Sequence, residues 1–370
     1  MKNKIIYLDN AATTPVYPEV VRVMQKYMLT EFGNPSSIHS MGESAQKAIE
    51  NAKKIIASEI GAKPWEIIFT SGGTESNNLA FQGVAKANTS KKKIIISAIE
   101  HSSIYELCQE MKKYGYVIAE IPVDKDGLID FSLLEKEIDS NTLIVSILHA
   151  NNEIGVLQDI KIIGDLCRKK GVVFHTDAVQ SFCKEKINVS SMGVDMLSAS
   201  GHKIGASKGV GFLYIKTGVQ IEPIIIGGSQ ESGLRPGTQN VPSIMGFAKA
   251  VEITKKIDKN KVKALRDYFI SELEKICGKI NGSKEKRIYN NVDVSFSGKE
   301  GDAMLLFLSE MGIMCSTRSA CMSKQKKENR ILSALGLKDD LINGALRFSL
   351  NEFNTYKEID SVITELRKFK

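Results

Sequence analysis

Short apolar runs alternate along most of the chain with longer segments in which apolar residues recur at helical spacing. Four runs, at residues 67–70, 93–98, 142–149 and 172–175, are largely apolar on both faces and end in polar turns. Strands of this kind lie in parallel sheets that are covered by helices. The pattern therefore predicts the α/β fold class, with a mostly parallel central sheet and helices on both faces.

The spacing of apolar residues also predicts the helices and a change of organisation near residue 250. Pro18 begins the first helix, because proline suits a first helical turn. Further helices are predicted at about residues 42–60, 103–114, 160–170, 241–256, 260–276 and 301–310, and one from residue 133. The strand from residue 291 alternates apolar and polar faces. We therefore predict a large domain over residues 16–250 and a smaller α+β domain formed by 1–15 and 251–370.

Composition narrows the choice of partners and compartment. The 370 residues are 42% hydrophobic and 25% charged, as in ordinary soluble proteins, and the net charge of +7 is scattered. The basic run at 324–330 also contains Gln, Glu and Asn, so no nucleic-acid partner is expected. No apolar run approaches the length of a membrane span, so no membrane partner is expected. The amino terminus runs straight into a strand, from which no signal peptide is expected. Six dispersed cysteines predict free thiols, a cytoplasmic location and no metal site.

Two charged residues follow neighbouring apolar runs. Lys203 lies with Ser200 and His202 on a glycine-rich loop, and Asp177 and Gln180 follow the run that begins at residue 172. An isolated loop lysine is more often a solvated surface residue. A lysine together with an aspartate is, however, the pair that a pyridoxal phosphate site requires. The lysine bonds to the cofactor aldehyde, and the carboxylate keeps the ring nitrogen protonated.

Two further segments supply candidate cofactor contacts. Gly73 and Thr74 lie in a glycine-containing turn between a predicted strand and helix, where free amides can hold a phosphate. An ordinary helix cap is the alternative. His101 follows the strand at 93–98, where its ring is placed to stack on a flat cofactor. A capping histidine with one backbone hydrogen bond is the alternative there.

The segments Ser200-Gly-His-Lys and His175-Thr-Asp-Ala-Val-Gln resemble those of the cysteine desulfurases of the NifS/IscS group. Three other motifs resemble the same enzymes: Leu8-Asp-Asn-Ala-Ala-Thr-Thr, Phe32-Gly-Asn-Pro-Ser-Ser and Ser319-Ala-Cys321. These motifs occur in the family's order over nearly the whole chain. The resemblance implies a fold-type I, class-V aminotransferase-like enzyme with pyridoxal 5'-phosphate as its cofactor.

The resemblance also implies a role for individual residues of the cofactor site. Asn152 would donate to the phenolic oxygen of the cofactor, although a turn asparagine is the alternative reading. His101 would lie over the ring and transfer protons. Thr238 would reach the phosphate of the neighbouring subunit, which implies a homodimer, and Arg235 would line the active site. The implied cofactor-binding set is Lys203, Asp177, Gln180, Gly73, Thr74, Asn152, Ser200, His202, Thr238 and His101.

For the substrate, the resemblance implies that Arg347 clamps the carboxylate of L-cysteine, with Asn152 and Asn34 as further contacts. Cys321 would take the sulfur as a persulfide for a sulfur-acceptor protein, leaving L-alanine, with Lys203 and His101 as the other catalytic residues. A lone cysteine is more often an inert core thiol, but the polar stretch around Cys321 favours an exposed loop.

Some alternatives stay open at the level of sequence. Cys315 is either a resolving cysteine for Cys321 or, more in keeping with its surroundings, a buried bystander. The activity could instead be that of a selenocysteine lyase or another pyridoxal phosphate-dependent β-lyase. A weakly active scaffold or regulator of sulfur delivery is a further alternative.

Overall fold

The computed structural model of the protein describes residues 5–317 and 329–369. In chain order, its strands are β1 (Ile6–Tyr7), β2 (Ile67–Thr70), β3 (Lys93–Ser97), β4 (Val117–Ile121), β5 (Thr142–Ser146), β6 (Val173–Asp177), β7 (Met196–Ser200), β8 (Gly211–Ile215), β9 (Lys279–Ile280), β10 (Asn291–Ser295), β11 (Ile313–Met314) and β12 (Ala345–Ser349). Its helices are α1 (Pro18–Leu29), α2 (Ser40–Ile60), α3 (Gly73–Ala87), α4 (Ser102–Lys112), α5 (Phe131–Glu137), α6 (Ile160–Lys170), α7 (Val241–Thr254), α8 (Lys259–Lys275), α9 (Gly301–Glu310), α10 (Arg330–Ala334), α11 (Asp339–Asn343) and α12 (Tyr356–Lys368).

Seven strands form the central sheet in the order β2-β8-β7-β6-β5-β3-β4. Neighbouring strands are parallel except around β8, which is antiparallel to both β7 and β2. The predicted mostly parallel sheet is therefore confirmed. Because its parallel strands end at one edge, the turns that follow them share that edge, where such sheets bind ligands.

Helices cover both faces of the central sheet. In β2, Ile67 and Phe69 belong to one apolar cluster, which also contains residues of α2, α6 and α7. Ile68 belongs to a second cluster, with residues of α3 and α4. Successive side chains of a strand point to opposite faces, so the two clusters lie on opposite sides of the sheet. No helix of the described ranges is long and apolar enough to cross a membrane.

Helix α6 shows why the first and last residues of some helices could be predicted from the sequence. The side chain of Asp159 accepts a hydrogen bond from the Ile162 amide at its start, and Gly171 ends it with φ +66°. Arg168 and the two lysines after it lie in the last turn, where cations suit the helix dipole. Both α6 and α9 coincide with predicted segments, and the other predicted helices differ at their ends.

A second sheet follows the central one in sequence. Its antiparallel strands lie in the order β12-β10-β9, and β1 pairs in parallel with β11 beside it. Helices α8, α9 and α12 pack into the same apolar cluster as these strands. Helix α12, which was not predicted, begins at a capping box in which Thr355 and Glu358 bond each other's backbone amides.

The segment from Leu8 to Ala12 joins the two sheets. Leu8 is buried in the cluster of the second sheet. The Asn10 side chain donates to the Ser349 carbonyl at 2.8 Å, and the Ala11 amide donates to Ser349 Oγ at 2.7 Å. The carbonyls of Ala11 and Ala12 face the loop that follows β7 in the central sheet. We call residues 8–12 the N-terminal strap.

Candidate active site

A cavity of about 250 Å³ lies at the edge of the central sheet where the parallel strands end. Turns after β3, β5, β6 and β7 form its walls, together with the start of α3 and the N-terminal strap. The structure brings ten of the residues singled out from sequence to this cavity: Gly73, Thr74, His101, Asn152, Asp177, Gln180, Ser200, His202, Lys203 and Arg347.

Lys203 ends the short 3-10 turn Gly201–Lys203 that directly follows β7. Its Nζ donates to the carbonyl oxygens of Ala11 at 2.6 Å and Ala12 at 2.8 Å. Burial and, to a smaller extent, the positive charge of Arg347 together lower the pKa of this amine to about 7. The side chain is therefore substantially neutral near neutral pH, which is the state in which an amine attacks an aldehyde.

Asp177 is the last residue of β6, and its carboxylate is held by two donors. Oδ1 accepts from the Val179 amide at 2.9 Å, and Oδ2 accepts from Asn77 Nδ2 at 2.8 Å. Asn77 Nδ2 also donates to Ser103 Oγ at 2.8 Å. Sequence reasoning missed Asn77, although its position four residues after Gly73 puts both on one face of α3.

His101 both caps a helix and lines the cavity. Its Nδ1 accepts from the Ser103 amide at 3.1 Å at the start of α4 and lies 2.8 Å from Ser103 Oγ. Nε2 is therefore the nitrogen that carries the proton in the neutral ring. Burial lowers the pKa of His101, which favours that neutral form. His101 therefore caps α4 and lines the cavity at the same time.

The start of α3 offers backbone amides at one end of the cavity. Gly73 is required there by packing, because a Cβ at this position would lie 2.6 Å from Val179 Cγ2. Thr74 lines the cavity beside it. Glu75 turns away to Arg235, whose Nε donates to it at 2.8 Å. Arg235 is not among the cavity-lining residues.

Arg347 lies on β12, is only 3% exposed, and enters the cavity from the second sheet. Its Nη1 donates to the Asn152 carbonyl at 3.0 Å, and its Nη2 donates to Asp9 Oδ1 at 2.8 Å. The Asn152 side-chain oxygen is buried and has no hydrogen-bond partner among the described residues. A buried amide group facing a cavity without a partner fits a polar ligand that occupies the space.

Two described residues singled out from sequence, Thr238 and Asn34, do not line the cavity. Thr238 is exposed on the segment before α7, and Asn34 Oδ1 accepts from the Ser36 amide in an exposed turn. Cys321 lies outside the described residues, so its role stays a prediction. Cys315 is buried, and burial raises the pKa of its thiol to about 12, as in an inert core cysteine.

The cavity fits pyridoxal phosphate by the chemistry of its side chains. A buried amine of lowered pKa and a carboxylate fixed by two donors come from the adjacent strands β6 and β7. Amides at the start of a helix suit a phosphate, and the unpaired side-chain oxygen of Asn152 can accept a hydrogen bond from a donor group of a ligand. These groups can hold an anionic aldehyde with a basic ring nitrogen.

Comparisons with known proteins agree with this geometry. The aminotransferase class-V family model matches residues 6–362. The chain is 44% identical over 369 residues to "Cysteine desulfurase IscS" of Dictyoglomus turgidum, which covers 98% of this chain and 94% of the relative. It is 44% identical to the protein of the same name from Methanosarcina thermophila, over 98% of this chain and 91% of the relative.

Solved structures show the same likeness. A structure titled "NIFS-LIKE PROTEIN" superimposes with a TM-score of 0.93 at 36% identity and covers 99% of both chains. A second, titled "SspA in complex with cysteine", gives a TM-score of 0.84 at 36% identity and covers 95% of this chain and all of the other. Family, relatives and structures agree over nearly the full length. The chain belongs to the class-V aminotransferases, a pyridoxal phosphate-dependent family, and within it to the cysteine desulfurases of the NifS/IscS group.

Proposed function

We propose that this protein is a pyridoxal phosphate-dependent cysteine desulfurase. It converts L-cysteine to L-alanine and passes the sulfur to the Cys321 thiol, which becomes a persulfide. The observation that carries the proposal is that Lys203, Asp177 and Arg347 line one cavity. An amine, a carboxylate and a guanidinium are the groups required to hold the cofactor aldehyde, the cofactor ring nitrogen and the substrate carboxylate.

The cofactor, when bound, supplies an electron sink for the bonds at the substrate α-carbon. Lys203 would hold its aldehyde, and the same amine, largely neutral near pH 7, would move a proton at the α-carbon of the substrate. Asp177 keeps the ring nitrogen charged, and Asn77 holds that carboxylate in place. His101 lines the cavity with its proton on Nε2 and would contact the ring. Amides near Gly73, with the hydroxyls of Thr74 and Ser200 and the ring of His202, would hold the phosphate.

Arg347 orients the substrate through its carboxylate, because a guanidinium can hold a carboxylate through two parallel hydrogen bonds. With the carboxylate fixed, the substrate is held in one orientation, and its sulfur is the atom that the thiolate of Cys321 would attack. The bond between the β-carbon and the sulfur breaks as the new sulfur–sulfur bond forms, and the β-carbon keeps the electron pair of the broken bond and takes a proton. L-cysteine and the enzyme thiol thus give L-alanine and the enzyme persulfide.

The first test is the visible spectrum of the purified protein before and after addition of L-cysteine, with sulfide and alanine assayed under a thiol reductant. We expect a band near ~400 nm from the cofactor, a shift on addition, and equal amounts of sulfide and alanine. A protein that binds the cofactor but releases no sulfide would contradict the proposal. A protein that cannot be reconstituted with pyridoxal phosphate would contradict the whole enzyme assignment.

Two cysteine variants test the sulfur acceptor. Cys321→Ala should abolish sulfide release from L-cysteine, whereas Cys277→Ala, at an exposed cysteine, should leave it unchanged. Release of selenide from L-selenocysteine by Cys321→Ala would distinguish the selenocysteine lyase alternative. Unchanged desulfuration by Cys321→Ala would remove this cysteine from the mechanism.

We further propose a homodimer in which Thr238 binds the phosphate of the partner subunit's cofactor. Thr238 is exposed, and Ile225 and Ile226 on the same segment are 47% and 83% exposed, as at an unfilled interface. Mixed dimers of Lys203→Ala and Thr238→Ala chains provide the test. If the threonine serves the partner, the mixed dimer regains one complete site and therefore activity. If it serves its own subunit, no complete site is restored.

Domain division and location are also proposals. Separate apolar clusters in the two sheets support a large domain at 16–250 and a small domain from 1–15 and 251–370. Five cysteines in the described ranges are free, which suits the reducing cytoplasm. The sulfur acceptor is proposed to be a protein of iron–sulfur cluster assembly or of thiolation.

A further inference from the structure

The guanidinium of Arg347 is paired before any substrate arrives. Asp9 Oδ1 accepts from Arg347 Nη2 at 2.8 Å, and the same oxygen accepts from Ser316 Oγ at 2.9 Å. The Asp9 side chain is 18% exposed and that of Arg347 is 3% exposed, so water screens the pair only weakly. A carboxylate of the protein therefore occupies part of the donor set that would bind the carboxylate of the substrate.

The backbone fixes the geometry of this pair. Arg347 and Ser316 exchange backbone hydrogen bonds across an isolated bridge. Asp9 forms a bridge with Ser349, two residues further along β12. The three side chains thus come from three neighbouring segments in fixed register. A carboxylate that accepts from two donors in register cannot rotate without losing one of them.

The remaining donors of Arg347 face a different environment. Nη1 uses one hydrogen on the Asn152 carbonyl, and Nε is buried without a hydrogen-bond partner among residues 5–317 and 329–369. An unpaired, buried Nε–H in a cavity-lining guanidinium is available to an incoming acceptor. Asp9 and the Asn152 carbonyl therefore hold one edge of the guanidinium and leave another edge for a ligand.

We infer that Asp9 is a positioning residue for Arg347 that sets how strongly the active site selects ligands carrying an α-carboxylate. This inference rests on the proposed function, since it assumes that Arg347 binds the substrate carboxylate. Asp9 acts in two opposed ways. Its hydrogen bond orients the guanidinium, which favours the ligand carboxylate, and its negative charge repels that carboxylate.

Two substitutions separate these effects. Asp9→Asn keeps an oxygen that can accept from Arg347 and Ser316 but removes the charge, so the affinity for a carboxylate ligand should rise about threefold to tenfold. Asp9→Ala removes both acceptor and charge, and leaves Arg347 without its orienting partner. The affinity for the same ligand should then fall about tenfold, because a misoriented guanidinium loses the paired hydrogen bonds. A merely structural role of Asp9 would move both variants in the same direction.

The measurement is titration of the cofactor-loaded enzyme with L-alanine and with ethylamine, followed by the visible spectrum. The two ligands share the amine and differ in the carboxylate. The ratio of their dissociation constants should change in opposite directions in Asp9→Asn and Asp9→Ala, with ethylamine binding nearly constant. KM for L-cysteine should follow the L-alanine constant. Asp165→Asn, which removes a carboxylate from exposed ion pairs on α6, is the matched control and should leave the ratio of the two dissociation constants unchanged.

Equal effects on both ligands, or shifts of the same sign in the two Asp9 variants, would overturn the inference. If Asp9→Ala does not fold, Ser316→Ala takes its place, because it frees the Asp9 carboxylate from one of its two donors. Ser316→Ala should weaken the binding of L-alanine about twofold to threefold and leave the binding of ethylamine unchanged. Unchanged binding of both ligands would count against the inference. A failure of the proposed function would look different: the unmodified enzyme would bind L-alanine but release no sulfide from L-cysteine.

Discussion

Replacing Lys203 by methionine should stabilise the cofactor-free protein, although it removes the amine on which the proposed chemistry depends. The pKa of this amine falls from its ordinary value of 10.5 to about 7 in the folded protein, mainly through burial. Between these values the unfolded chain binds more protons than the folded one. The free energy of unfolding of the unmodified protein therefore rises with pH across this window.

The size of the effect follows from the same two values. One pKa unit corresponds to about 1.4 kcal/mol, so the buried amine costs about 4 kcal/mol at pH 7 and about 2 kcal/mol at pH 9. Methionine has a similar length and no charge. Methionine cannot donate to the Ala11 and Ala12 carbonyls, and the loss of each of these hydrogen bonds offsets the gain in stability by about 1 kcal/mol. The net gain should be about 2 kcal/mol at pH 7 and close to zero at pH 9.

Urea unfolding of both cofactor-free proteins at pH 7 and pH 9 checks this result, with fluorescence or circular dichroism as the probe. Lys216→Met is the control, because it makes the same replacement at a half-exposed lysine in a surface ion pair with Asp195. A difference between Lys203→Met and the unmodified protein that stays the same at both pH values would refute the assignment of a lowered pKa to Lys203.

Three other substitutions have expected outcomes. Asn77→Ala removes the side-chain donor to Asp177 Oδ2 and should lower the free energy of unfolding by about 1.5–3 kcal/mol and weaken cofactor binding, as measured by urea unfolding and cofactor titration. His175 is fully buried with its pKa lowered to about 3, so below pH 6.5 the unfolded chain binds a proton that the folded chain does not, and the free energy of unfolding decreases as the pH is lowered. His175→Gln should flatten that fall by about 2 kcal/mol at pH 5 in acid titrations. A Cβ on Gly211 would lie 2.7 Å from Gly72 Cα, so Gly211→Ala should displace the turn before α3 and lower cofactor affinity at least tenfold in equilibrium titrations; unchanged affinity would contradict this packing argument.

Local patterns predicted the elements whose boundaries are set locally. The aspartate before α6 and the glycine after it mark both ends of that helix in the sequence itself. The apolar runs before Asp177 and Lys203 likewise identified two strands and placed both residues at strand ends. Those positions were enough to bring most of the predicted cofactor contacts into one cavity.

Contacts between distant segments could not be predicted in this way. Nothing in the periodicity around Asp9 indicates that its carboxylate meets Arg347, which is 338 residues away. Asn77 looks like an ordinary helix residue until β6 places Asp177 beside it. The apolar runs on either side of the Lys203 loop predict that β7 and β8 form a hairpin, but the pairing of β8 with β2 on its other side depends on tertiary packing rather than on the local spacing of side chains.

The N-terminal strap also has a consequence for synthesis of the protein. Asn10 and its partner Ser349 are separated by 339 positions, so the strap cannot dock until β12 has been made. At about 5–20 residues per second, this takes about 20–70 s after the strap itself has left the ribosome. The carbonyls that receive Lys203 are therefore among the last parts of the pocket to be fixed. Cofactor capture should accordingly follow release of the nearly complete chain, because a nascent chain that ends before residue 345 presents Lys203 without the guanidinium of Arg347.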